Sequence, residues 1–140
     1  MQLDIVTPRG TILSAEVDEL VAPGTLGEFG VLPGHIPFLT GIRPGVVRYR
    51  HGSASGTIAV GQGFLEVAGN GRVILLAQQG ALANSIDANA VRQERDAAQR
   101  QLDEWSGEDA AQREAIAARL AWAQARLDAA GAAGAPAAAH

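Results

Sequence analysis

The groups in this 140-residue chain able to move a proton or hold a metal are three histidines, His35, His51 and His140, and 15 carboxylates. Metal ligands must converge, and the histidines stand too far apart in the chain to form a metal-binding motif. Ser53 lies in a glycine-framed run, but the central residue of Gly52-Ser53-Ala54-Ser55-Gly56 is alanine, so the nucleophile elbow G-x-S-x-G is missing. The absence of cysteine excludes thiol nucleophiles, thiolate metal sites and disulfides. Lysine is absent too. All 11 positive charges are arginines, which excludes the phosphate lysine of a P-loop and Schiff-base chemistry. Gly24, Gly27 and Gly30 suggest a phosphate cradle, yet they stand three apart instead of at the dinucleotide spacing, and Pro33 and Pro37 prevent a helix from opening directly behind them. No nucleophile, base or cofactor-holding set emerges, so the chain reads as a non-enzymatic protein that needs no cofactor.

A net charge of −4 argues against a nucleic-acid surface, because phosphate binding calls for a basic excess. Apolar residues make up 47% of the chain, and no apolar run approaches the roughly 18 residues of a membrane span. Met1 to Thr7 contain Asp4 and lack the basic and apolar regions of an export signal, so a bacterial cytoplasmic location is the expectation. Proteins are the expected partners.

Two halves with different periodicities must position any binding face. Before Asp87 lie 14 of the 17 glycines, with turn dipeptides and short β-branched runs. Leu3 and Ile5 alternate with Gln2 and Asp4 at the two-residue period of a half-buried strand, and Arg48 and Arg50 flank Tyr49 likewise. Phe64 to Ala68 and Val73 to Ala77 are separated by Gly69, Asn70, Gly71 and Arg72, where Asn-Gly predicts a tight hairpin turn with positive backbone angles. A looser turn, Gly52 to Gly56, joins Val46–Arg50 to Thr57–Val60. Short strands at such spacing favour an antiparallel sandwich or barrel.

From Asp87 onward there are 20 alanines in 54 residues. Val91, Ala98, Leu102 and Trp105 share one helical face, and Ile116, Leu120, Ala123 and Leu127 form the matching stripe of a second helix. Arg92, Asp96, Arg100 and Glu104, four apart with alternating sign, read as a solvated ladder of ion pairs. Asp87 predicts an N-cap, and Ser106 with Asp109 predicts a capping box that starts the second helix. The chain thus divides into a β-sandwich over residues 1–86, an antiparallel helical hairpin over 87–130 and a small-residue tail over 131–140, expected to be disordered. Two alanine-rich helices with one narrow seam bury little area, so the hairpin needs a docking surface and is poised to exchange between two such surfaces.

The stretch Pro23 to Thr40 is the most distinctive. Its glycines and prolines make a shaped, turn-rich surface. Phe29, Leu32, Ile36 and Phe38 read most simply as core or loop anchors, and as an interface if they form an exposed patch. The segment "EVDELVAPGTLGEFGVLPGHIPFLTGIRPG", Glu16 to Gly45, resembles the signature region of the epsilon subunits of bacterial F-type ATP synthases. The start "MQLDIVTPRG" and the run "GFLEV" resemble that family too, and the likeness is close over residues 1–86. The resemblance implies a non-catalytic subunit of the rotary central stalk, peripheral to the inner membrane, that fixes the gamma subunit to the ring of c subunits. By resemblance, Glu28 matches an acidic position facing the polar loops of the ring, and Phe29, Gly30, Pro33, Gly34, His35 and Pro37 share that partner-binding loop. His35 reads equally as a structural side chain.

Some relatives bind ATP through a motif of the form Ile/Leu-Asp-x-x-Arg-Ala at the start of the first helix, helped by arginines from the second. Here the stretch is Ile86, Asp87, Ala88, Asn89, Ala90, Val91, so Asp87 matches and the arginine is missing. Arg126 aligns with one second-helix arginine, while Trp122 takes the place of another, which removes a phosphate partner. The alternative reading, a free-standing ATP-sensing regulator, would rest on Asp87 and Arg126 alone. Trp122 lies off the main seam and is expected to pack on the sandwich or on gamma. Some relatives also inhibit ATP hydrolysis when the hairpin rises into the alpha/beta hexamer. Here Arg92, Arg95, Arg100, Arg113, Arg119 and Arg126 are outnumbered by acids, so charge does not favour that role.

Overall fold

The computed structural model describes residues 1–132. Ten strands come first: β1 (Gln2–Thr7), β2 (Gly10–Glu16), β3 (Glu19–Gly24), β4 (Gly27–Val31), β5 (Phe38–Ile42), β6 (Gly45–His51), β7 (Ala54–Val60), β8 (Gly63–Val67), β9 (Arg72–Ala77) and β10 (Gly80–Leu82). A 3-10 turn, Ala83–Ser85, leads into α1 (Ala88–Asp103) and α2 (Ala110–Ala132). β then α, segregated along the chain, is the class that the change of periodicity predicts.

The strands hydrogen-bond in the order β10-β7-β6-β3-β5-β8-β9-β1-β2, with β4 paired to β3 off this path. All neighbours are antiparallel except β1 and β9. The sheet curls until its end strands, β10 and β2, approach one another, and its concave face closes over one core. Alternation explains which side chains go there. Leu3 and Ile5 of β1, Leu65 of β8 and Leu75 of β9 meet Leu20 of β3, Val47 of β6 and Ile58 of β7, all fully buried. Each such side chain contributes about 1.5–3 kcal/mol relative to exposure, which makes the sandwich the stable frame of the molecule.

Two turns differ from expectation. The β8–β9 loop consists of Gly69, Asn70 and Gly71 inside the Ala68 N–H to Arg72 carbonyl bond of 2.8 Å, and only Gly71 has positive φ, at 80°. A three-residue loop needs a single left-handed position, so Asn70 keeps an ordinary conformation. The β6–β7 turn is tighter than read: Gly52 and Ser53 alone join the strands, with Gly52 at φ 60° as the first central residue.

The helices pack as two further layers. Val91 and Ala98 of α1 are buried and Leu102 half-buried against Ile116, Leu120, Ala123 and Leu127 of α2, as the stripes predict, although Trp105 lies beyond the end of α1. The opposite face of α2, with Ala125 and Ala129 buried and Trp122 beside them, lies on β6 and β7. α2 therefore sits between the sheet and α1, buried on two sides, where the sequence showed one seam. The capping box does not form. Asp109 caps α2 by itself, its Oδ1 accepting from the N–H groups of Ala111 at 3.0 Å and Gln112 at 3.2 Å, because the chain turns through Glu104 to Glu108 in irregular structure and leaves Ser106 a turn too early. Arg92, Asp96, Arg100 and Glu104 are exposed as expected, but the ladder is absent among the described residues. Asp96 pairs with its neighbour Arg95, and Arg92 donates to Asn89, since exposed pairs gain too little to hold long side chains in one register. α2 includes Gly131 and Ala132, which the sequence reading gave to the tail; the rest of that tail lies outside the described residues.

Candidate functional site

The stretch from Pro23 to Thr40 folds as the β3–β4 hairpin and the loop that returns to β5. Gly24 faces Gly27 across the hairpin, leaving Thr25 and Leu26 at its tip. Only glycine fits at Gly24, where a Cβ would stand 2.7 Å from the Gly27 carbonyl oxygen and 2.8 Å from the Phe29 ring. Pro33 and Gly34 are the central residues of a turn closed by the His35 N–H donating to the Leu32 carbonyl at 3.1 Å, and Gly34 takes the φ of 83° that a type II turn demands. His35 is exposed, its Nδ1 2.9 Å from the Ile36 carbonyl oxygen and its ring 4.9 Å from that of Phe38. Phe38 meets Phe29 edge to face at 5.7 Å, and both rings anchor the loop against the core.

These anchors hold a row of apolar side chains out in water. Leu26 is fully exposed, Leu32 57%, Ile36 77% and Leu39 68% exposed. Leu26, Phe29, His35, Phe38 and Leu39 line a shallow concavity of about 490 Å³. Glu28 and Gly30 stand on β4 and Pro37 at the loop's end, all exposed; Glu28, Gly30 and His35 border that concavity, and Gly34, His35 and Pro37 border a neighbouring one. Glu28 is engaged within the chain: its Oε2 lies 3.2 Å from Nη2 of Arg48 on β6.

A second apolar surface adjoins this rim and was not foreseen. Register aligns Gly41, Phe64, Leu76 and Val6 across β5, β8, β9 and β1 on the outer face, and Phe64 and Leu76 are 61% and 54% exposed. Together with Pro8 and Ile42 they floor a groove of about 680 Å³ whose one charged border is Arg43. Its Nε donates to the Gly24 carbonyl at 3.2 Å, tying groove to hairpin. The signal was parity: Phe64 alternates with buried Leu65 and shares its face with Glu66, so an aromatic ring stood on the solvent side of its strand.

Among the described residues no group of three or more His, Asp or Glu side chains is placed to hold a metal, and His140 lies outside them. His51 approaches Asp18 at 3.6 Å, but Asp18 also accepts the Gly52 N–H at 2.6 Å. That bond, above all, lowers the Asp18 pKa, with His51 and Arg50 adding to the effect, and it braces a hairpin turn. Asp87 is an N-cap, accepting from the Ala90 N–H at 3.2 Å. Arg126 is spent elsewhere, 2.5 Å from Glu94 of α1 and stacked 5.1 Å above the Trp122 ring centroid. No hydrogen bond or ion pair joins Asp87 to Arg126 among the described residues.

The described residues define a curled β-sandwich with exposed apolar rims, followed by a helical pair. The family model for the beta-sandwich domain of the ATP synthase delta/epsilon chain matches residues 1–82. The ATP synthase epsilon chain of Anaeromyxobacter sp. (strain K) is 44% identical over 131 residues, covering 94% of this chain and 98% of the relative. That of Magnetococcus marinus is 44% identical over 103 residues, 74% of each chain. The chain belongs to the ATP synthase epsilon chain family, and as such is a non-catalytic subunit. The fold is shared with chains solved in two mitochondrial assemblies. One is the Euglena gracilis ATP synthase OSCP/F1/c-ring, with TM-score 0.74 and 22% identity over 87% of this chain and 76% of the other. The second is the central stalk and c-ring of the Tetrahymena thermophila ATP synthase, with TM-score 0.60 and 15% identity over 93% and 96%. No described helix is long and apolar enough to cross a membrane.

Proposed function

We propose that this chain is a rotor part of a bacterial F-type ATP synthase: it joins the gamma subunit to the ring of c subunits and carries torque between them during proton-driven ATP synthesis. The observation that carries the reading is the pair of adjoining apolar surfaces, the Leu26–Leu32–Ile36–Leu39 rim and the Phe64–Leu76 groove, on a rigid sheet. Exposed apolar area of this kind is maintained for a partner. The rim residues Glu28, Phe29, Gly30, Pro33, Gly34, His35 and Pro37 face the polar loops of the ring. The groove takes gamma, and Arg43 at its border favours an apolar segment that carries a carboxylate. The subunit sits peripherally at the cytoplasmic face of the inner membrane, held there by its partners.

Co-purification tests this. Wild-type chain brings down gamma and the ring, while Phe64→Ser, which alters an exposed side chain, leaves folding intact and weakens gamma capture at least about tenfold, the loss expected of an interface anchor. Unchanged capture would overturn the assignment of the groove. Because Arg126 is occupied by Glu94 and Trp122, titration calorimetry with ATP should give no binding. ATPase rates of the alpha/beta assembly with full-length chain and with a chain ending at Ile86 should be equal, because the hairpin's arginines are outnumbered by its acids and charge does not favour docking on acidic partners.

A further inference from the structure

Trp122 is placed where all three layers of the molecule can be tied. Its ring packs in a small apolar cluster with Val46 of β6, Ala59 of β7, Ala83 and Ile86 of the connection and Ala129 of its own helix. This cluster is separate from the main core of the sandwich. Over the ring lies the Arg126 guanidinium, 5.1 Å from its centroid, which also donates from Nε to the Trp122 carbonyl at 3.4 Å and pairs through Nη2 with Glu94 of α1 at 2.5 Å. The Arg126 side chain is only 18% exposed whereas Glu94 is 56% exposed, so the stacked guanidinium is largely covered while the carboxylate end of the ion pair faces water. α1 packs chiefly on α2, and Glu94 links it to Arg126, the residue that covers the indole facing the sandwich.

We propose that Glu94, Arg126 and Trp122 form a brace that makes pairing of the two helices and docking of the hairpin on the sandwich a single cooperative step. Removing the Glu94 carboxylate frees Arg126, which then no longer holds the indole against Ala59 and Ala83, so α2 loosens from β6 and β7 as well as from α1. The brace rests on the fold alone and stands or falls apart from the rotor assignment. It also gives Arg126 a structural office in place of a phosphate-binding one.

The full chain carrying Trp105→Phe, in which Trp122 is the sole indole, reports the docked state by its emission. Adding Glu94→Gln should shift that emission to the red and raise amide exchange over residues 116–129 by about threefold or more, the size of one lost partly shielded ion pair with its cation–π contact. Exchange in β3, β8 and β9 should stay unchanged, since their core is separate. Salt should produce the same red shift when Glu94 is present and none in Glu94→Gln, because it screens the exposed end of the pair. In a second variant, Trp122→Ala, exchange over Val91–Leu102 of α1 should rise although that helix packs chiefly on α2. The proposal is overturned if Glu94→Gln loosens α1 while the Trp122 emission holds, if Trp122→Ala leaves α1 as protected as before, or if neither variant changes exchange in the hairpin.

Discussion

Oε2 of Glu28 and Nη2 of Arg48 lie 3.2 Å apart, across the part of the sheet where β4, β3 and β6 run side by side. The acidic rim residue is therefore already paired before any partner arrives. Arg48 Nε is buried without a hydrogen-bond partner among the described residues, so the guanidinium depends on Glu28 for much of its compensation. A basic loop that docks on Glu28 must compete with this internal arginine.

Glu28→Gln should consequently have a small effect on two measurements. Thermal unfolding should show a loss below about 1 kcal/mol, since Glu28 is half-exposed. Affinity for the c-ring should fall by no more than about fivefold, the equivalent of that energy. A loss of binding a hundredfold or greater would show that the carboxylate dominates the interface.

Gly63 should tolerate no side chain. It stands between Ile42 of β5 and Ala77 of β9, and a Cβ there would meet the Leu76 carbonyl oxygen at 1.8 Å and its carbon at 2.8 Å. The obstacle is backbone, which yields only if the strand moves. Gly63→Ala should destabilise by about 2–4 kcal/mol in denaturant unfolding. It should also weaken gamma capture, because Phe64 and Leu76 of the groove move with the strand.

The start of α2 gives a paired comparison. Asp109→Ala removes the acceptor of two N–H groups and should cost about 1 kcal/mol, read as earlier melting of the helical signal. Ser106→Ala should cost nothing measurable. Equal losses would restore the capping box.

Stability should fall in acid through Asp4. Its carboxylate accepts from Ser14 Oγ at 2.7 Å, the main cause of its lowered pKa, and from Arg72 at 3.2 Å, with burial opposing them. A carboxyl lowered in the folded state contributes fully above the ordinary value of 3.8 and loses that contribution as pH falls through the lowered one. Asp4→Asn should flatten the dependence of the melting temperature on pH in that range and leave Asp18 to supply a remainder. An unchanged slope would place the acid sensitivity elsewhere.

The amino-acid sequence by itself determined the fold class, about half of the strands and both helices. Two-residue alternation in Leu3-Asp4-Ile5, the glycine turns and the switch to alanine-rich helical stripes at Asp87 are local signals, carried by backbone preference and side-chain period. Composition excluded thiol and lysine chemistry and argued against a nucleic-acid surface, and the Glu16–Gly45 segment carried the family. Tertiary structure alone decided which apolar residues remain in water. Phe64 and Phe38 look alike in the sequence, yet one lines an open groove and the other anchors a loop, because strand register sets which face each ring occupies. It likewise decided that α2 lies between two layers, that Asp109 caps without Ser106 and that Arg126 meets Glu94, 32 residues away in the chain. Such contacts form between residues far apart in sequence, whose placement follows from how the sheet closes and not from any local preference.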